Sequence, residues 1–183
     1  MAELLLARHG ETEWSLNGRH TGSTDIPLTD NGRRRARNLA SRLDGRDFAL
    51  VLTSPMQRAM DTCKLAGLGE RAQVRDDLRE WDYGDYEGVT TAQIHERDPS
   101  WSHIGRNLPV GGARADRVIA EARQAGGDVI LFGHGHMLRV VGARWVGLPP
   151  QDGGLLGLGT GALCTLGYEH GLPILVHWNE PVS

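Results

Sequence analysis

Three short polar clusters in this chain hold residue types suited to chemistry on an anion. They are Arg8-His9-Gly10-Glu11-Thr12, Ser54-Pro55-Met56-Gln57-Arg58 and Gly133-His134-Gly135. Each follows an apolar run, and a doubly wound α/β sheet places its active site just beyond the C-terminal ends of its strands. Brought together, Arg8, Arg58, His9 and His134 would repel one another unless an anion lay between them, so the set predicts a phosphate or sulfate site. Glycine beside each histidine lets backbone amides approach the same anion. Glu80, in Leu78-Arg79-Glu80-Trp81-Asp82-Tyr83-Gly84, adds a carboxyl group. Singly, each cluster has a plainer explanation: a histidine after a strand is commonly a hydrogen-bonded turn residue, and Ser-Pro-x-x-Arg is an ordinary helix start. Their joint placement at strand ends argues for a site.

The elements that must position these clusters follow from periodicity. Leu4 to Ala7 and Phe48 to Leu52 are continuous apolar runs expected of buried strands, and Asp128 to Phe132, apolar from Val129 on, is a further strong strand candidate. Gln73 to Arg75 is a further strand candidate. A helix is expected after Thr29, which can cap it, with Ala36, Leu39, Ala40 and Leu43 on one face. Ser54-Pro55 should open another helix, with a capping hydroxyl and proline at the first helical position, and so place Arg58 in its first turns. A helical pattern resumes from Met137 to Val146. Ala162 to Tyr168 and Pro173 to Trp178, joined through Glu169-His170-Gly171, form a β-hairpin at the sheet edge. This alternation predicts a three-layer α/β sandwich, its central sheet mostly parallel with an antiparallel edge strand. The chain is expected to be a single domain over 1–183. Its stretch from Trp81 to Val110 shows neither period, and a lid or cap-like irregular segment is expected at about 81–115.

Composition excludes several classes. The chain has 183 residues, 39% hydrophobic, with a net charge of -3. That is enough apolar material for a core and argues against wholesale disorder. Of its 20 basic residues only Lys64 is lysine. Arginine is the permanently charged fork suited to oxyanions, though a genome-wide preference gives the same count. The longest basic run, Arg33-Arg34-Arg35, reads as a solvated helix face, so neither nucleic acid nor an anionic membrane is an expected partner. The two cysteines, Cys63 and Cys164, suit neither a zinc knuckle nor a disulfide framework, and a cytoplasmic location is expected. The N-terminal apolar run is too short for a signal-peptide core, and no stretch reaches the ~20 apolar residues of a membrane span.

The five blocks Leu6-Ala7-Arg8-His9-Gly10-Glu11-Thr12-Glu13-Trp14, Thr21-Gly22-Ser23-Thr24-Asp25-Ile26-Pro27-Leu28-Thr29, Thr53-Ser54-Pro55-Met56-Gln57-Arg58-Ala59, Glu80-Trp81-Asp82-Tyr83-Gly84-Asp85-Tyr86-Glu87-Gly88 and Phe132-Gly133-His134-Gly135-His136 stand in order and at sensible spacing. Together they make the chain resemble the histidine phosphatase superfamily, in its phosphoglycerate-mutase-like branch. The fourth and fifth blocks are most similar to bacterial acid phosphatases and fungal sugar-bisphosphatases. The resemblance implies that His9 is the nucleophile and carries a transient phosphohistidine. It implies that Arg8, Arg58 and His134 bind the non-bridging oxygens. Glu80 is then the acid for the leaving alcohol and the base for the water that follows. Thr21 and Gly22 add phosphate contacts, as does Gly135. Ser15 stands where relatives carry Asn, with Asn17 a candidate to compensate. Trp81, Tyr83, His136 and Arg139 are substrate-side candidates. Relatives commonly have Gly-Glu-Ser where this chain has Gly111-Gly112-Ala113, and the helix that follows to Gln124 looks trimmed.

The expected reaction is metal-independent hydrolysis of a small phosphorylated metabolite such as a sugar phosphate, without a cofactor. The glycolytic mutases of the resemblance are longer, with an insertion that closes over the site, and this short chain leaves water access. In-family alternatives are a phosphoglycerate mutase and a phosphatase of the cobalamin precursor α-ribazole phosphate. Outside the family stand a metal-binding protein, suggested by eight histidines and the His134-Gly135-His136 pair, and a phosphate sensor without catalysis. The former lacks acidic or Cys partners at zinc-like spacing, and the latter has no need of His9 and Glu80. The edge hairpin near Trp178 is a candidate homodimer surface.

Overall fold

The computed structural model describes residues 2–101 and 108–182. Six strands form one sheet in the order β3-β2-β4-β1-β5-β6. The strands are β1 (Leu4–Arg8), β2 (Phe48–Thr53), β3 (Ala72–Val74), β4 (Asp128–Gly133), β5 (Leu163–Glu169) and β6 (Leu172–Glu180). β1, β2, β3 and β4 are mutually parallel along the sheet. β5 runs antiparallel to β1, and β6 antiparallel to β5, which is the hairpin expected at the sheet edge. Its turn is His170-Gly171, both with positive φ (50° and 83°), as a two-residue hairpin of this twist requires.

Helices cover both faces, as the strand sequences dictate. Leu4 and Leu6 of β1 pack in one cluster with Ala115, Val118 and Ile119 of α5 (Leu108–Gln124) and with Leu138, Val141 and Trp145 of α6 (Gly135–Trp145). The alternate residues Leu5 and Ala7 join Leu39 and Leu43 of α2 (Asp30–Leu43) and Cys63 of α3 (Gln57–Leu65). A strand whose neighbours point to opposite faces must be apolar at every position when both faces are covered. At about 1.5–3 kcal/mol for each large apolar side chain fully buried, these two layers dominate the driving force for folding.

The register brings the three clusters level. Arg8 lies opposite Gly133 and Thr53 opposite Phe132. The pairing continues past the strands, with His9 N–H donating to Gly133 O at 3.0 Å and Ser54 N–H to Phe132 O at 2.9 Å.

Element boundaries differ from expectation where distant groups intervene. α3 starts at Gln57 with Met56 as its N-cap and no side-chain cap, and the Ser54 hydroxyl accepts Met56 N–H at 3.3 Å and meets His134 Nε2 at 2.8 Å. α6 starts at Gly135 rather than Met137, because Glu80 satisfies the amides of its first turn. β3 lies one residue earlier than Gln73–Arg75. The segment expected to be irregular holds α4 (Thr91–Arg97), opened by a reciprocal Thr90–Gln93 capping box, and the cap expectation also covers 102–107, which lie outside the described residues. The helix expected to be trimmed runs 17 residues and includes Gly111 and Gly112. Gly112 serves close packing, since a Cβ there would meet the Pro150 ring at 2.6 Å, whereas one on Gly111 would make ordinary contact with Trp81 at 3.5 Å. Trp178 of the edge strand is half-buried, its indole donating to Gly157 O at 2.6 Å and its ring lying over Gly142.

Candidate active site

β1 ends in Arg8 and delivers His9 into a tight loop. A Cβ on Gly10 would come within 2.7 Å of Gly32 O, so only glycine lets this loop lie against α2. The loop is tied down by Thr62, whose hydroxyl accepts Gly10 N–H at 3.0 Å and donates to Arg58 O at 2.7 Å. His9 is 4% exposed. Its Nδ1 lies 2.8 Å from Gly10 O, and since a carbonyl only accepts, Nδ1 carries the proton. Nε2 is left with its lone pair. Burial, then the nearby charges of Arg8 and Arg58, hold His9 well below the ordinary histidine pKa, so the ring is neutral.

His134 caps α6 and is completely buried. Arg58 Nε donates to its Nδ1 at 3.2 Å, and a guanidinium only donates. The proton therefore sits on Nε2, which meets Ser54 Oγ at 2.8 Å. The rings of His9 and His134 stand 5.2 Å apart. Burial also keeps His134 neutral, with Arg58 the next contributor.

Arg58 is fully buried. Besides His134 it serves three carbonyls: Thr24 O at 2.9 Å, Gly22 O at 2.8 Å and Thr21 O at 3.3 Å. Arg8 donates to Leu158 O, and its Nε is buried with no partner among the described residues. Gly135 makes room for Arg8, as a Cβ there would sit 3.2 Å from Arg8 Cζ.

Glu80 closes the site. Its side chain is 6% exposed. Oε2 accepts His136 N–H at 3.0 Å, and Oε1 accepts Met137 N–H at 3.1 Å and Trp81 N–H at 3.2 Å. Burial raises its pKa, against the lowering effect of the His136 and Met137 amides and of Arg8 and Arg58. Tyr83 Oη lies 2.5 Å from His136 Nδ1. Burial, reinforced by the Glu80 charge, pushes the phenol well above its usual range, so Tyr83 stays protonated.

These groups surround a cavity of about 190 Å³ lined by Arg8, His9, Glu80, Tyr83, Gly135, His136 and Arg139, with Ser15, Gly18, Arg19, His20, Thr21 and Leu158 around them. Hollows of about 590 and 390 Å³ elsewhere hold no histidine and arginine set, so chemistry rather than size singles out this one. Several expected contacts are placed differently. Arg58 and His134 lie beneath the cavity rather than along it, their nitrogens turned to protein partners. Ser15 borders the cavity with its hydroxyl engaged by Thr12 N–H at 2.8 Å and Thr12 O at 2.9 Å, in the cap of the short helix α1 (Glu13–Leu16). Asn17 is exposed and off the cavity. Gly22 is buried with its N–H on Glu87 at 2.7 Å, and Trp81 is a core residue packed against Gly111. Arg19, His20 and Leu158 line the cavity without having stood out in the sequence; one more arginine among so many carries no signal.

A model of the histidine phosphatase superfamily (branch 1) matches residues 4–181. The chain belongs to this superfamily. This histidine phosphatase is 44% identical over 180 residues to an acid phosphatase of Mycobacterium tuberculosis, covering 92% of this chain and 88% of that protein. It is 33% identical to the sedoheptulose 1,7-bisphosphatase of Saccharomyces cerevisiae, covering 80% of this chain and 68% of that one. A solved structure of an open reading frame from Mycobacterium tuberculosis superposes with a TM-score of 0.92 at 40% identity, covering 100% of this chain and 99% of that one. The mostly parallel sheet and its antiparallel edge pair are thus the phosphoglycerate-mutase-like fold expected from the sequence.

Proposed function

We propose that this chain is a phosphatase that hydrolyses small phosphomonoesters, sugar phosphates or similar, through a phosphohistidine on His9. The observation that carries the reading is the His9 tautomer: Nδ1–H is committed to Gly10 O, which leaves Nε2 unprotonated at the wall of a cavity that also holds Arg8 and Glu80. Nε2 attacks phosphorus in line, forming the N–P bond as the bond to the leaving oxygen breaks, and the Glu80 carboxyl gives its proton to that oxygen. The Glu80 carboxylate then takes a proton from water, whose oxygen attacks phosphorus and breaks the N–P bond. Phosphate leaves, and His9 and protonated Glu80 are restored.

Arg8 and the positive end of α6 supply the charge that stabilises the transferring group. Arg58 and His134 support it from below the cavity, with Thr21 and Gly135 at its edge. A volume of about 190 Å³ admits a phosphate and a compact alcohol, which supports small metabolites as substrates. The acid phosphatase and sugar bisphosphatase relatives support the same class. A cytoplasmic setting is part of the proposal, supported by Cys63 and Cys164, both free and buried, their thiols pushed up to about 12 and about 11 by burial. No helix among the described residues is long and apolar enough to cross a membrane.

The test is turnover of p-nitrophenyl phosphate after dialysis against a chelator, with a panel of sugar phosphates and phosphoglycerates assayed for both phosphate and isomer. The protein should release phosphate without added metal, and His9→Ala should abolish this. Wild-type turnover in that variant, or isomer as the main product, would overturn the proposal.

A further inference from the structure

Arg58 is a fully buried cation whose acceptors come mainly from one loop, 21–24. Three carbonyls converging on a single guanidinium require their peptide groups to be held from the other side. The carboxylate of Glu87 does this for two of the three, the Thr21–Gly22 and Gly22–Ser23 peptides, and also holds the Thr24 N–H of the same loop. Oε1 accepts Gly22 N–H at 2.7 Å and Thr24 N–H at 2.8 Å, and Oε2 meets Ser23 N–H at 3.3 Å and Ser23 Oγ at 3.2 Å. The Thr21–Gly22 peptide is trans, so its N–H and C=O point in opposite directions. With the N–H on Glu87, the C=O is aimed at Arg58. The loop has little room to move otherwise: a Cβ on Gly22 would meet Trp81 O at 2.2 Å. Of the other carboxylates near Arg58, that of Glu80 is engaged by the α6 amides, and that of Asp25 is 3.9 Å away and already accepts Gln57 N–H at 2.8 Å.

We propose that Glu87 is a positioning residue for Arg58, acting through the peptide groups of loop 21–24, and this rests on the phosphatase function proposed for the site. Arg58 in turn fixes the proton of His134, whose ring lies against the nucleophile, so the chain of contacts runs from Glu87 to His9 without Glu87 lining the cavity.

A double-mutant cycle tests this, because only coupled residues give non-additive effects. The inhibition constant of inorganic phosphate and kcat/KM for p-nitrophenyl phosphate are measured for wild type, Glu87→Ala, Arg58→Lys and the double variant, with circular dichroism and melting to confirm folding. Losing charge-assisted hydrogen bonds of this kind should weaken phosphate and lower kcat/KM by about tenfold or more. In the Arg58→Lys background, Glu87→Ala should add less than about twofold. Glu87→Gln keeps the shape and one acceptor oxygen, gives a graded loss, and stands in if the alanine variant does not fold. Equal losses in both Arg58 backgrounds, or no loss in a folded Glu87 variant, overturn the positioning role. An inactive wild type overturns the phosphatase reading instead.

Discussion

The carboxylate of Glu80 accepts the backbone N–H of His136 at 3.0 Å, so the proposed general acid rests on the first turn of α6. The helix end favours the carboxylate while burial favours the neutral acid, and burial wins, leaving the pKa raised. A group poised in this way can hold a proton for the leaving alcohol and still accept one from water.

Rate should accordingly fall as pH rises through the raised pKa of Glu80. His9 is held well below the ordinary histidine value, so its protonation limits the rate only well under pH 6.5. Activity is expected to peak in mildly acidic solution. For Glu80→Gln a deficit of about 10²–10⁴-fold is expected on an alkyl phosphate at that pH, the range of a lost general acid. The deficit should shrink for p-nitrophenyl phosphate, whose leaving group needs less protonation. Equal deficits on both substrates would count against the acid role.

Stability should also depend on pH through the buried histidines. Both His9 and His134 have lowered pKa values, so the unfolded chain binds protons that the folded one refuses. Their contribution is present above about pH 6.5 and is lost as pH falls, at up to about 1.4 kcal/mol per pH unit for each. Glu80, shifted upward, acts with the opposite sign and offsets part of this. Urea midpoints should thus drop between pH 7.5 and 5.5, and the drop should be smaller in His9→Ala. A steeper drop in that variant would refute the assignment.

Ser54→Ala removes the acceptor of His134 Nε2–H at a position that is fully buried. An unsatisfied buried donor costs about 1–3 kcal/mol, which equilibrium unfolding will register. Turnover should fall as well, since His134 loses one of the two contacts that orient it. Unchanged stability would count against a Ser54–His134 hydrogen bond that matters to the fold, since the other tautomer would set Nδ1–H against the Arg58 Nε–H donor.

Much of the architecture is written locally. The runs from Leu4, Phe48 and Val129 are apolar at consecutive positions, and the α2 face repeats at helical spacing behind a Thr29 cap whose hydroxyl accepts Gly32 N–H at 3.0 Å. Such patterns survive in sequence because burial acts residue by residue. α4 escapes a reading by period because the surrounding stretch lacks a clear one, although Thr90 and Gln93 stand at capping-box spacing and carry a signal for its start.

The sequence by itself determined that arginine, histidine and glycine would end three neighbouring strands, because strand polarity and apolar patterning place those ends together. Only the tertiary structure decided which nitrogen of His9 and of His134 carries the proton, that Arg58 turns toward carbonyls instead of the cavity, and that Glu80 opens α6. Arg58 and His134 are 76 positions apart, and Glu80 and His136 are 56 apart. Bonds across such distances leave no periodic trace; they depend on strand register and loop approach, which exist only once the layers have packed.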